Sequence, residues 1–125
     1  MIVESAPFKS AYTYPGMQFD PATEIEIMVS RLFEIKPETI KLRTRRHKVL
    51  IPRQIAIYLI RKYTALPYER IGQRFDLDHT TAIYAFQQVK NLVEVRDKEF
   101  TKAVTRIEEE IAAHPAFSGA VSSKK

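Results

Sequence analysis

The stretch from Leu66 to Ala85, LPYERIGQRFDLDHTTAIYA, restricts the fold of this 125-residue chain more than any other segment. Pro67 predicts the start of a short helix, because proline is favoured in the first turn of a helix. Asp76 and Leu77 then form a tight turn, and a second helix opens with the polar residues 78–81, DHTT. In a helix-turn-helix, the start of the second helix reads base edges in the DNA major groove. The segment therefore predicts a module that binds duplex DNA with sequence preference.

Apolar residues recur at helical spacing through most of the remaining chain. Asp20 and Asp97 each precede such a pattern and stand where N-cap side chains are favoured. Gly72 is expected where a neighbouring backbone comes close. No strand-like alternation of useful length is present, so we predict an all-α helix bundle. Its helices are expected from Pro21 to about Ile35, Pro52 to about Tyr63, Pro67 to Phe75, His79 to about Val95, and after Asp97, with a single turn at residues 38–40 and a loop at 41–48.

The pattern divides the chain into three parts. Residues 1–19 mix proline, glycine and aromatic residues without a period, which predicts an irregular N-terminal arm. Residues 20–113 form the predicted helix-turn-helix domain. Residues 114–125 lack a period and are predicted to be a flexible tail.

The net charge of +5 is concentrated in one segment. No Asp or Glu occurs between Lys41 and Lys62, and the rest of the chain carries more acidic than basic residues. A basic patch of this kind predicts a polyanionic partner. Its eight cations are Lys41, Arg43, Arg45, Arg46, Lys48, Arg53, Arg61 and Lys62.

Composition and motifs argue against several other classes of function. The chain has no cysteine, which excludes disulfides and thiolate zinc sites, and its three histidines are too scattered for a metal site. No Gly-rich phosphate loop is present, and the glutamates 108–110 are expected to be a solvated helix face. We therefore expect no enzyme activity, no cofactor, no nucleotide and no metal. No apolar run is long enough to span a membrane, so a soluble cytoplasmic protein associated with the nucleoid is expected.

Residues 25–112 resemble the C-terminal DNA-binding domain of the bacterial replication initiator DnaA. The matching pieces are LFEIKPETIK, RTRRHKVLIPRQ, IAIYLIRKYT, IGQRF and DHTTAIYA, in this order. The DHTT element lies at the centre of the family's signature. The resemblance implies a DnaA-like, Trp-repressor-like fold that binds double-stranded DNA at DnaA boxes as a monomer, in replication or its control.

The resemblance also implies roles for individual residues. Asp78, His79 and Thr80 would read bases in the major groove. Arg45 aligns with an arginine that enters the adjacent minor groove. The residues assigned to phosphates are Arg53, Gln54, Arg61 and Thr81 by alignment, together with Arg43, Arg46 and Lys48 of the basic segment.

The chain departs from the family pattern at several positions. Its turn between Phe75 and Asp78 is one residue shorter than in many members, and Glu69 stands where a small residue or proline is frequent. The family's ATPase domain precedes the DNA-binding domain, whereas this chain starts only about twenty residues before it, so a stand-alone DnaA-like protein is expected. A protein partner for residues 1–19 stays open.

Two other kinds of function stay open at this point. One is a protein-interaction module, or a transcriptional regulator that has lost DnaA-box specificity. The other is a binder of single-stranded nucleic acid, for which Tyr58 and Tyr84 would be the stacking platforms. Asp78 also has a purely structural interpretation, as the N-cap of its helix.

Overall fold

The computed structural model describes residues 20–44, 46–114 and 117. Within these residues it is all-α, as the sequence predicts, and none of its helices is long and apolar enough to cross a membrane. The N-terminal arm 1–19, residue 45 and most of the predicted tail lie outside the described residues. The helices are α1 (Pro21–Leu32), α2 (His47–Tyr63), α3 (Tyr68–Arg74), α4 (His79–Glu94) and α5 (Lys98–Ala113), with a 3₁₀ turn at Thr39–Lys41.

The central element of the fold is α2, which packs against α1, α3, α4 and α5. Its residues 55–60 are all buried, as expected for a helix that is apolar on every side. The helical pattern places Tyr58 on one face with Gln54 and Arg61, which predicts exposure, and this is wrong: Tyr58 is 7% exposed. Its ring stacks on Phe86 of α4 with centroids 5.2 Å apart. The side that seemed polar is covered because α4 packs there.

The start of α2 also differs from the prediction. The helix begins at His47, five residues before Pro52, so the last two residues of the predicted loop 41–48, called the basic loop below, are helical. A proline inside a helix removes one backbone N–H and one hydrogen bond, here the bond to the Lys48 carbonyl. Val49, which is 6% exposed, anchors this first turn in the core. Pro52 therefore lies inside α2 and does not mark its start, whereas Pro21 is the first residue of α1.

Three helices end in the same way, with a non-glycine residue in the left-handed conformation. These residues are Glu34, Asp76 and Arg96, with φ of 60°, 59° and 61°. The amide that follows each of them bonds back to a carbonyl in the last turn of its helix, which defines a Schellman motif. The three bonds are Ile35 N to Ser30 O (3.0 Å), Leu77 N to Gly72 O (2.8 Å) and Asp97 N to Leu92 O (2.9 Å).

A buried carboxylate joins α1 to two neighbouring elements. Glu26 is 3% exposed. It accepts a hydrogen bond from Arg74 Nε of α3 at 2.7 Å and pairs with Lys41 Nζ of the 3₁₀ turn at 3.1 Å. A buried charge needs such partners because its desolvation is costly. The network therefore fixes the end of α3 and the start of the basic loop relative to α1.

The packed domain extends beyond the predicted boundary at residue 113. Phe117, which the sequence assigns to the flexible tail, is fully buried. Its ring meets His114 edge to face, with centroids 5.4 Å apart. The flexible tail therefore cannot begin at residue 114, and for residues 118–125 it stays a prediction.

Replacing the left-handed residue at the end of α4 tests the assigned helix end. Arg96→Gly should stabilise the protein by about 0.5–1 kcal/mol, because an L-residue costs about 1–2 kcal/mol in this conformation and glycine costs unfolded-state entropy instead. Urea unfolding of the variant should show a higher midpoint. Arg96→Ala is the matched control, since it removes the same side chain but keeps the strain. An equal midpoint for both variants would contradict the assignment.

Candidate nucleic-acid interface

The start of α4 presents a row of exposed polar residues. Asp78 is the N-cap, and its Oδ1 accepts a hydrogen bond from the Thr81 amide at 2.8 Å. This bond lowers the pKa of the Asp78 carboxyl below its ordinary value, so the group is ionised at neutral pH. His79 and Thr80 are exposed, and in the part of the chain that the structure describes their side chains have no hydrogen-bond partner. The three predicted base readers therefore face solvent together.

A close backbone contact fixes the direction in which α4 starts. A Cβ atom on Gly72 would lie 2.6 Å from the Leu77 carbonyl oxygen and 3.0 Å from that of Asp78. Only glycine therefore fits this position without a backbone shift, which confirms the close approach expected from the sequence. The left-handed Asp76 makes the reversal between α3 and α4. The geometry of the turn thus sets where the exposed residues point.

The basic loop is held to α2 by one buried guanidinium. Arg53 is 6% exposed. Its Nε donates to the Ile40 carbonyl at 3.0 Å, and its Nη2 donates to the carbonyls of Leu42 and Thr44. Nε and Nη2 are therefore committed inside the protein, where they fix the backbone of the loop. Arg53 also lines the groove between the loop, α2 and α4, so its contact with a phosphate stays a prediction.

Several cations of the basic segment have acidic partners from distant parts of the chain. Lys41 pairs with Glu26 at 3.1 Å. Arg43 pairs with Asp76 at 3.3 Å, and Lys62 pairs with Glu108 at 2.6 Å. The missing counter-charges of the sequence are therefore supplied by the fold, and the basic patch is smaller than the sequence indicates.

The unpaired cations lie where the loop meets α2. Arg46 and Lys48 are both exposed. Over the described ranges 20–44 and 46–114, neither side chain has an ion pair. Arg45 lies between them and Thr44 in the sequence but outside the described residues, so its minor-groove role stays a prediction. Arg46 and Lys48 therefore keep positive charge available for an anion at this end of α2.

A groove of about 720 Å³ joins the loop to α2 and α4. Four residues predicted to contact phosphates line it: Arg43, Arg53, Gln54 and Thr81. Its wall also includes Tyr84, which is 61% exposed. The sequence pattern predicts no functional role for Tyr84 beyond stacking, because exposure alone does not show which surface a side chain joins. The structure thus brings the loop and α4 to one surface.

Arg61 is placed apart from this groove. It lies 14 residues along α2 from His47, which corresponds to about 21 Å. Its Nη1 donates to the Leu66 carbonyl at 3.0 Å, and its guanidinium lies 4.5 Å from the ring centre of Tyr68. Because the side chain remains exposed, it can still meet an anion beside the α2–α3 connection.

The architecture defines a helix-turn-helix domain: two helices joined by a tight turn, a solvent-facing start of the second helix, and a basic loop beside it. Residues 22–89, more than half of the chain, match the model of the family described as the bacterial dnaA protein helix-turn-helix. The chain therefore belongs to the bacterial DnaA helix-turn-helix family. Membership supports DNA binding by this domain at the level of the family.

The similar proteins include chromosomal replication initiator proteins DnaA from two bacteria. That of Caldanaerobacter subterraneus is 32% identical over 90 residues, which cover 72% of this chain and 20% of the relative. That of Thermus thermophilus is 42% identical over 79 residues, which cover 62% of this chain and 18% of the relative. The chain thus spans about a fifth of the length of these relatives.

A conservative change at Arg53 tests its internal role. Arg53→Lys keeps the charge but cannot donate to the three carbonyls together, so we expect a loss of stability of about 2–3 kcal/mol, from buried acceptors left unsatisfied. Chemical denaturation measures this loss. Arg46→Lys is the matched control and should leave stability unchanged, because Arg46 is exposed. Equal stability of the two variants would show that the internal hydrogen bonds of Arg53 do not hold the loop.

Proposed function

We propose that this chain binds duplex DNA at preferred sequences, with the start of α4 in the major groove and the basic loop in the adjacent minor groove. The observation that supports this most directly is the joint exposure of Asp78, His79 and Thr80 at the start of α4. They lie next to Thr81, which lines one groove with Arg43 of the loop. A module that only binds an acidic protein does not need this row of short polar side chains.

The three exposed side chains suit base edges in different ways. An ionised carboxylate such as that of Asp78 accepts from the cytosine amine, and a histidine can pair with a purine edge. The methyl group of Thr80 can contact a thymine methyl. The bond from the Thr81 amide to Asp78 also holds the carboxylate in place before DNA arrives, which reduces the entropy lost on binding.

Other groups of the interface are suited to the phosphates. Arg46 and Lys48 are exposed and unpaired among the described residues, and Gln54 and Thr81 line the groove between them and α4. Contacts to phosphates fix the register of a protein on DNA without reading its sequence. We assign Arg45 to the minor groove by its alignment with the family's minor-groove arginine, and because a narrow minor groove attracts a guanidinium.

In this proposal the chain is a non-enzymatic monomer that occupies DnaA-box-like sites in replication or its control. One copy carries both the reading helix and the basic loop, so an asymmetric site needs no second subunit. The DNA-binding domain comprises residues 20–113 with the packed Phe117, and residues 1–19 are available for a protein partner. The shorter turn and Glu69 favour a preferred site that differs from the usual box.

Selection of duplex sites from a random pool, followed by binding measurements, tests this function. His79→Ala should weaken binding to the selected site by about 1–3 kcal/mol and change binding to random duplex little, since a base contact is lost. Arg46→Ala is the control for a phosphate contact and should weaken both complexes alike. Fluorescence anisotropy with labelled duplexes measures both.

Two results would argue against the proposal. Equal loss on both DNAs for His79→Ala would remove it from the base readers. A pool that yields no enriched site would favour the protein-interaction module. The burial of Tyr58, one of the two proposed stacking platforms, argues against binding of single-stranded nucleic acid.

A further inference from the structure

An ion pair on the proposed DNA face links the basic loop to the turn of the helix-turn-helix. Arg43 Nη1 lies 3.3 Å from Asp76 Oδ2, and the two side chains are 75% and 72% exposed. The residues are 33 positions apart in the sequence. Arg43 also lines the groove with Gln54 and Thr81. The Asp76 carboxylate therefore pairs with the Arg43 guanidinium on the surface where we expect Arg43 to contact a phosphate.

Such a pair is easily exchanged. An ion pair between exposed side chains contributes little to stability, because water and salt screen it and both side chains lose freedom when they pair. A phosphate that approaches the groove can therefore displace the carboxylate from Arg43. After the exchange, the Asp76 charge is left uncompensated close to the polyanion.

We propose that Asp76 competes with DNA phosphates for Arg43 and so lowers both the affinity of this domain for duplex DNA and its dependence on salt. The inference rests on the proposed function. In this view Asp76 changes the affinity for DNA without contacting a base. The competition acts on phosphate contacts alone, so its effect is the same on preferred and random sequences.

Release of counterions gives the expected size of the effect. Each phosphate that a cation neutralises contributes about 0.9 to the slope of log K against log salt. In the native protein, the release of Asp76 takes up a counterion and cancels part of this contribution. With Asp76 neutralised, the slope should become steeper by up to about 0.9, and the affinity should rise about two- to fivefold, the range for an exposed ion pair.

The test uses Asp76→Asn, in the full chain. Asparagine removes the charge and is one of the residues that tolerate the left-handed conformation of this position, so the turn is preserved. Glu110→Gln is the matched control. It removes one negative charge from another exposed pair, Arg31–Glu110 at 3.2 Å, which joins α1 to α5 and does not line the groove. Labelled random and selected duplexes are titrated with each protein over a range of salt concentrations.

Arg43→Ala in both backgrounds separates competition from general repulsion. If Asp76 acts through Arg43, the gain from Asp76→Asn is larger when Arg43 is present than when it is alanine. An equal gain in the two backgrounds, or an unchanged slope and affinity, would overturn the inference while leaving DNA binding intact. A gain on the selected duplex only would also overturn it, because Asp76 would then contact a base. If neither the native protein nor any variant binds duplex at low salt, the proposed function fails as well.

Discussion

Burial of α2 on all its sides is the constraint on which the other elements depend. Residues 55–60 are each enclosed, so α1, α3, α4 and α5 all take their positions from this one helix. Both halves of the proposed interface are attached to it. Arg53 near its start holds the basic loop through three carbonyls, and Tyr58 in its middle stacks on Phe86 of α4. The distance between loop and reading helix is therefore set by the core and not by the flexible surface.

The fold also decides which positive charges are available to a partner. Acidic residues from α1, the turn and α5 neutralise Lys41, Arg43 and Lys62, whereas Arg46 and Lys48 stay exposed. Charge counted along the sequence therefore overstates the surface that faces DNA. Arg53 is buried and holds the loop, whereas the exposed Arg46 and Lys48 have no ion pair among the described residues. In the proposed function, sequence preference comes from α4 and general affinity from the loop.

Local signals in the sequence were enough to predict the elements of the helix-turn-helix. Pro67, the Asp78 cap and the close approach at Gly72 depend on neighbouring residues, and the structure has all three features nearly where they were expected. The early start of α2, the burial of Tyr58 and the inward position of Arg53 were not predictable in this way. The positions of Arg53 and Tyr58 depend on partners beyond their own helical turns, such as Ile40 for Arg53 and Phe86 for Tyr58. The acidic partners of Lys41, Arg43 and Lys62 also lie far away in the sequence, so the sequence pattern does not reveal them.

The central claim is that the start of α4 and the basic loop form one surface for duplex DNA. Amide chemical shifts of the ¹⁵N-labelled protein, recorded during titration with a selected duplex, test this most directly. We expect the largest shift changes at residues 78–81 and 42–48, and little change at Lys102 and Arg106 on α5. Changes centred on α5, or spread evenly over the protein, would contradict it.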